Sequence, residues 1–80
     1  MKFSVYILRS QQTEKTYIGY TSNLRRRITE HQKGLSPYTK SLGHCDLIWC
    51  SFFREKSKAL TFEKYLKTGS GRAFMKKHLI

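Results

Sequence analysis

The sequence predicts one α+β domain over residues 1–80, and two observations predict that class. Three short segments alternate apolar and polar residues or are rich in β-branched and aromatic residues, as strands are. Three other segments are typical of helices, two of them with apolar residues at helical spacing between a capping residue and a glycine. A chain of 80 residues supplies one small core, so these elements must share it.

The two strands nearest the start form a predicted hairpin. Residues 3–9 are apolar on both faces, which predicts a strand that is central or covered on both sides, and residues 16–21 form its partner. In that register Tyr6 lies opposite Gly19, which leaves open space above it, and Tyr17 is its diagonal neighbour on the same face. The alternative interpretation is that both tyrosines are ordinary half-buried strand residues.

A basic helix follows the hairpin, over residues 24–33, with N-cap candidates at residues 21–23. Its buried stripe is apolar, and Arg27 and His31, four positions apart, lie along one rim of that stripe. Arg26 points roughly opposite, toward solvent. Arg27 is therefore placed where a site can form, although a solvated basic face is the usual fate of such a run.

The second half begins with a predicted loop over residues 35–44, in which Tyr38, Lys40 and His44 are available to contact a ligand. A hydrophobic third strand follows over residues 46–53. Cys45 and Cys50 lie five positions apart on or beside it, so we expect them to point to opposite faces. They are interpreted as buried or half-buried thiols, since a zinc site needs more ligands.

The last two predicted elements are helices. The first covers residues 58–67, with Ser57 as its N-cap and Gly69 as its stop, and the second covers residues 72–79. Glu63 lies on the apolar side of the first helix, where a carboxylate is costly unless it is paired or bound to a cation. A salt bridge to a nearby lysine or arginine is the simpler explanation, and a metal ion is the other.

The composition adds a strong positive charge. There are 16 Lys and Arg residues against 5 Asp and Glu, a formal charge of +11, divided evenly between the two halves of the chain. A folded domain this basic repels itself unless it works beside a polyanion, so a nucleic acid is the expected partner. A basic domain without such a partner and an anionic membrane surface are the alternatives. No apolar run approaches the roughly 18 residues of a membrane span. With two cysteines and no signal peptide, we expect a cytoplasmic location. The expected oligomeric state is a monomer.

These side chains are the kinds that phosphodiester hydrolysis requires. A phenol has a pKa near 10 and is a poor base, but an adjacent imidazole, guanidinium and divalent cation make its phenolate accessible. Tyr6 and His31 can form such a relay, and Arg27 can hold non-bridging oxygens. Glu63 can coordinate one hard ion, most simply Mg²⁺, that stabilises the leaving 3′-oxygen as a Lewis acid.

In order and spacing, these motifs resemble the GIY-YIG nuclease family. Val5-Tyr6-Ile7 and Tyr17-Ile18-Gly19 resemble its two name-giving motifs, Arg27 and His31 its R-x-x-x-H helix, and Glu63 its metal-binding glutamate. Residues 59–72 look like the small single-domain bacterial branch, and the chain is similar to the N-terminal nuclease module of the excision-repair incision subunit. The resemblance implies a central three-stranded antiparallel sheet flanked by helices, and Mg²⁺- or Mn²⁺-dependent hydrolysis of DNA, with a connection to DNA repair.

The resemblance also assigns roles. It implies that Tyr6 is the general base, that Tyr17 and Arg27 position the phosphate, that His31 assists Tyr6 and that Glu63 holds the metal. Without a separate recognition domain, we expect low sequence specificity and a preference for single-stranded, branched or damaged DNA. The residues expected to contact nucleic acid are Arg25, Arg26, Tyr38, Lys40, Lys67 and Arg72.

Two positions depart from the family pattern. Ser4 stands where the first motif has glycine, and the asparagine that many relatives carry after the glutamate is missing, with Met75 in that region. Either Arg72 or Lys67 replaces the asparagine, or the activity is weak or specialised. Two other functions therefore stay open: a non-catalytic nucleic-acid-binding module of the same fold, and an RNA-directed or ribosome-associated factor.

Overall fold

The computed structural model describes residues 2–33 and 44–80, and within them the chain forms three strands and three helices. The predicted α+β class and three-stranded antiparallel sheet are confirmed. The predicted loop with Tyr38 and Lys40 lies outside the described residues, apart from His44, which is exposed. In chain order the elements are β1 (Phe3–Ser10), β2 (Thr16–Thr21), α1 (Leu24–Gln32), β3 (Cys45–Phe53), α2 (Lys56–Leu66) and α3 (Gly69–His78).

The sheet has the strand order β2-β1-β3, with β1 in the centre. Its position follows from its composition, because a strand that is apolar on both faces is stable only where both are covered. The predicted hairpin register is the observed one: Tyr6 pairs with Gly19, and Leu8 pairs with Tyr17. Tyr6 and Tyr17 therefore share a sheet face, since directly opposed side chains point the same way.

Strand β3 contains a β-bulge that periodicity did not reveal. Its register with β1 shifts by one in mid-strand, where Ile48 is the extra residue, and both Ile48 and Trp49 pack toward the core. The shift resets the alternation, so Cys45 and Cys50 lie on one face, the face of Tyr6. The prediction that the two cysteines point to opposite faces is wrong for that reason. Both are half-buried thiols, as predicted.

The hydrophobic core lies on the sheet face away from Tyr6, under α2 and α3. The apolar stripe predicted on α2 is confirmed: Ala59 and Leu66 are buried, and Phe62 packs against them. Met75 is the buried contribution of α3. Helix α1 lies on the other face, where His31 contacts Tyr6. The buried members of the core are Val5, Ile7, Ile18, Ala59, Leu66 and Met75.

The start of α2 and the turn into α3 differ from the predicted boundaries. Helix α2 begins at Lys56, after Glu55 as its N-cap, so Ser57 lies in its first turn and is not the cap. Gly69 does not stop a helix but opens α3, because Thr68 accepts a hydrogen bond from the Gly71 N–H and caps the new helix. None of the helices in residues 2–33 and 44–80 has the length and apolar content to cross a membrane.

Gly71 allows the two helices to meet at this corner. A Cβ atom there would collide with the carbonyl group of Tyr65, at the end of α2. The Thr68 hydroxyl also donates to the Tyr65 carbonyl at 2.6 Å, so the corner is fixed from both sides. Arg72 follows directly and projects from the first turn of α3, at the edge of the sheet that β2 forms.

Candidate active site

Helix α1 carries two of the residues with predicted catalytic roles, and its start is fixed by capping. The Asn23 side-chain carbonyl accepts from the Arg26 N–H at 3.1 Å, and the Thr21 hydroxyl accepts from the Asn23 N–H at 3.0 Å. Asn23 is one of the predicted cap candidates. Residues 27 and 31 lie four positions apart and so share a helix face, and the contact of His31 with Tyr6 shows that this face is turned toward the tyrosines.

Tyr6, Tyr17 and His31 form one ring cluster on that surface. The centroids of Tyr6 and Tyr17 are 6.2 Å apart, and His31 lies 5.8 Å from Tyr6 and 5.5 Å from Tyr17. The Tyr6 hydroxyl oxygen is 3.1 Å from His31 Nε2. The predicted Tyr6–His31 pair is therefore in hydrogen-bonding contact, and the pair joins β1 to α1.

Gly19 makes room for the Tyr6 phenol, as the hairpin register predicts. A Cβ atom at Gly19 would lie 2.9 Å from Tyr6 Cε1 and closer still to the hydroxyl end of the ring. Tyr6 has no exposed surface, so its ring has nowhere else to go without disturbing its neighbours. The Tyr6 ring therefore occupies the space that a side chain at residue 19 would fill.

We expect Gly19→Ala to lower the free energy of unfolding by about 1–3 kcal/mol, the usual cost of overpacking a filled interior. Gly69→Ala is the matched control, because a Cβ atom at Gly69 meets nothing within 4 Å. Chemical denaturation of both variants measures the difference. Equal free energies of unfolding for the two variants would contradict the claim that a Cβ atom at residue 19 overlaps the Tyr6 ring.

Tyr6 is more buried than the sequence predicts, since the expected open space above it is filled. Its side chain is 0% exposed, whereas Tyr17 is half-buried and borders solvent. Burial is the main reason that the pKa of Tyr6 is raised well above its usual value; neighbouring Tyr17 and Glu63 also raise it, and Arg27 lowers it. The hydroxyl therefore lies among polar groups, but it does not become a stable phenolate in this environment.

His31 is the second buried polar member of the cluster, with 5% of its surface exposed. Burial, followed by the positive charge of Arg27, lowers the pKa of His31 below its ordinary value. The imidazole is accordingly neutral at neutral pH. One of its ring nitrogens is then free of a proton, and in the tautomer protonated at Nδ1 the Tyr6 hydroxyl donates to Nε2.

This lowered pKa predicts a pH-dependent stability. Because the unfolded chain binds a proton at His31 more readily than the folded protein does, the contribution is fully present above pH about 6.5 and is lost as pH falls through the lowered folded-state value. We expect the acid-side fall in melting temperature to be smaller in His31→Gln than in His78→Gln, an exposed control on α3. Identical pH profiles would contradict this.

Arg26 and Arg27 differ as predicted. The Arg26 side chain is 72% exposed, and that of Arg27 is 39% exposed. Both guanidinium groups approach Glu30, at 4.0 Å and 3.5 Å respectively. Only Arg27 acts on the pKa of both Tyr6 and His31, so it is the arginine that belongs to the cluster.

Glu63 lies on α2 and forms an ion pair, which is the simpler of the two explanations that the sequence left open for its position. Its side chain is 17% exposed, and Lys67, one turn later, lies 3.2 Å from the Glu63 carboxylate. Its charge acts on Tyr6, which places the carboxylate within electrostatic range of the phenol. We define the site cluster as Tyr6, Tyr17, Arg27, His31 and Glu63.

The donor set of the site cluster fits a hard cation that keeps most of its own waters. Within residues 2–33 and 44–80 no group of three or more His, Cys, Asp or Glu side chains is arranged to hold a metal ion. Mg²⁺ is often held by one or two carboxylates together with substrate phosphate oxygens and water. Glu63 supplies such a carboxylate.

The predicted nucleic-acid contacts are distributed unevenly. Lys67 and Arg72 line one cleft together with Tyr17, next to the site cluster. Arg25 lies on a different surface, beside Phe52 of β3, and Arg26 faces solvent. Tyr38 and Lys40 lie outside the described residues. Sequence reasoning missed Arg9, Lys15 and Lys76, which line a groove adjoining this cleft, because they come from separate segments with no shared motif.

Comparisons with known proteins find related sequences. A model of the GIY-YIG catalytic domain matches residues 2–78. A UPF0213 protein of Clostridium perfringens (strain 13 / Type A) is 39% identical over 64 residues, 79% of this chain and 68% of the relative. A UPF0213 protein of Staphylococcus haemolyticus (strain JCSC1435) is 34% identical over 76 residues, 94% of this chain and 92% of the relative. No solved structure matches the chain significantly. The family match spans every element that contributes to the site cluster.

Proposed function

The chain belongs to the GIY-YIG family, and on that premise we propose that it is a metal-dependent DNA endonuclease of low sequence specificity. GIY-YIG domains are those of endonucleases that act on DNA. The observation that carries the proposal for this chain is the convergence of the site cluster. The rings of Tyr6, Tyr17 and His31 are in contact on the sheet face that α1 covers, and the charges of Arg27 and Glu63 both act on Tyr6.

Substrate positioning falls to Arg27 and Tyr17. Both side chains are partly exposed, and both border the buried Tyr6–His31 pair. A guanidinium group binds phosphate oxygens in a fixed geometry and stabilises the negative charge that grows on them in the transition state. In this proposal Arg27 holds the non-bridging oxygens and the Tyr17 hydroxyl fixes the orientation of the phosphate.

Proton transfer falls to Tyr6 and His31 acting together. A buried phenol with a raised pKa is a poor base by itself, because it must first become a charged phenolate. The Tyr6 hydroxyl, however, lies 3.1 Å from the nitrogen of a neutral imidazole. As the attacking water gives its proton to the Tyr6 oxygen, the phenol proton passes to His31 Nε2, and no free phenolate is formed.

Glu63 is the residue proposed to hold the ion, Mg²⁺ or Mn²⁺. The chemistry that such an ion supplies is Lewis-acid stabilisation of the leaving 3′-oxygen. Lys67 pairs with the same carboxylate, so the ammonium group must give way when the ion binds, and it is then available to a DNA phosphate. Lys67 and Arg72 both border Tyr17, which supports their proposed replacement of the missing family asparagine.

A non-catalytic DNA-binding module is the second candidate, and the full burial of Tyr6 favours it. In that case the Tyr6–His31 pair is a structural hydrogen bond, and Glu63–Lys67 an ordinary surface ion pair. The basic charge of +11 would support binding in either case.

Cleavage assays with single-stranded, duplex and branched DNA, each with Mg²⁺, Mn²⁺ or EDTA, test the proposal. We expect cutting of at least one DNA form with a divalent ion, no cutting in EDTA, and no preferred sequence around the cut. Binding without cutting under every condition would establish the non-catalytic module instead. Matched RNA strands included in the same assays test whether RNA is the substrate.

A further inference from the structure

Next to the site cluster lies a groove that none of the catalytic roles uses. It runs between the β1–β2 hairpin and α3, and its lining includes the side chains of Arg9, Lys15, Arg72 and Lys76. We call it the basic groove. Thr16 and Arg72 line both this groove and the cleft that contains Tyr17, so the two depressions form one continuous path. The path leads from the site cluster along the edge of the sheet.

The cations of the basic groove differ in their partners from the cations close to the site cluster. All of them are exposed, and in the described part of the chain none forms an ion pair, in contrast to Arg26, Arg27 and Lys67. Glu14 is the one acidic residue in the lining. Like charges that converge without counterions repel one another, and a bound polyanion relieves that repulsion.

We propose that the basic groove binds the phosphate backbone of the DNA strand that enters the site cluster. This inference deepens the proposed function and rests on it for the identity of the strand. The lining carries no aromatic side chain on which bases could stack, except Tyr17 at the end near the site cluster. Contacts in the groove are therefore to phosphates, which carry no sequence information. The groove positions the strand without discriminating between base sequences.

Two neighbouring lysines on α3 provide a matched test. Lys76 lines the groove and Lys77 does not, although both are exposed and lie one position apart. Binding of fluorescently labelled 20-nucleotide single strands and 20-base-pair duplexes of two unrelated sequences is measured in EDTA over a range of salt. We expect Lys76→Gln to weaken binding about threefold to tenfold for both sequences, and to reduce the salt slope by about 0.7 for single strands or 0.9 for duplexes. Lys77→Gln should change neither quantity by a comparable amount.

Glu14→Gln provides a change of opposite sign. Removing the acidic charge from the lining should tighten binding, whereas removal of any charge unrelated to the groove should not. Glu14 has a positive φ of 60°, and glutamine keeps a similar side chain there, so the hairpin turn is preserved. Thermal unfolding of each variant checks that the fold is intact.

Because binding is measured without a divalent ion, the test does not depend on cleavage. Equal effects of Lys76→Gln and Lys77→Gln, or no binding of any DNA by the unaltered protein, would overturn the groove assignment. If the protein cuts DNA but Lys76→Gln and Lys77→Gln weaken binding equally, the proposed function stands and the groove assignment is wrong. If Lys76→Gln alone weakens binding but the protein never cuts DNA, the groove is the binding surface of a non-catalytic module.

Discussion

Tyr6→Phe is expected to lower the rate of DNA cleavage by about 10²–10⁴-fold, the range that general acid–base catalysis contributes. The substitution removes only the hydroxyl oxygen that lies 3.1 Å from His31 Nε2. The ring remains seated over Gly19, so the sheet keeps its packing. Because the buried His31 Nε2 is left without this partner, the loss should cost about 1–3 kcal/mol of stability. Single-turnover cleavage and chemical denaturation measure the two effects separately.

Two further tyrosine variants make this result interpretable. Tyr20→Phe is the same chemical change on the opposite sheet face, against the core, and should leave cleavage unchanged. Tyr17→Phe removes a hydroxyl that is nearer to solvent and should weaken substrate positioning. If Tyr17→Phe abolishes cleavage while Tyr6→Phe does not, the half-buried phenol is the base and the proposed Tyr6–His31 relay is wrong.

Glu63→Gln is the second change with a large expected effect. We expect at least a 10²–10³-fold loss of cleavage, comparable to removal of a principal electrostatic contact in an active site. The amide is nearly the same size as the carboxylate but is a much weaker ligand for Mg²⁺. The lost ion pair with Lys67 is partly exposed and contributes at most about 1 kcal/mol, so the fold should persist.

A direct measurement of metal binding separates this effect from an indirect one. Titration with Mn²⁺, followed by electron paramagnetic resonance, should show weaker binding in Glu63→Gln, whether or not DNA is cut. Glu55→Gln is the control, because Glu55 is exposed at the start of the same helix and away from the site cluster. Unchanged Mn²⁺ affinity in Glu63→Gln would show that Glu63 does not bind the ion.

Local pattern predicted much of the fold because the relevant interactions are local. The two-sided apolar character of β1, the turn between β1 and β2 and the capping of α1 each depend on residues close in sequence. The β-bulge at Ile48 was not predictable in this way. It depends on how β3 pairs with β1, some forty residues earlier, and on the core that both Ile48 and Trp49 enter.

The start of α3 was missed for a related reason. Gly69 and Gly71 suggest a break in the helix when considered alone, and glycine often ends one. Here Thr68 caps a second helix, and the absence of a Cβ atom at Gly71 lets that helix pass close to the Tyr65 carbonyl. Whether a glycine ends a helix or allows close approach is decided by the partner backbone.

The sequence by itself determined the family resemblance, which implied the antiparallel sheet, and the residue types of the site cluster. Spacing along strands and helices predicted which of these side chains share a face. Only the tertiary structure decided how the cluster is solvated and what lies beside it. It buries Tyr6 completely, and it joins Arg9, Lys15 and Lys76 from separate segments into one groove. Burial and electrostatic coupling depend on every element that packs around a group, and no single stretch of sequence contains them.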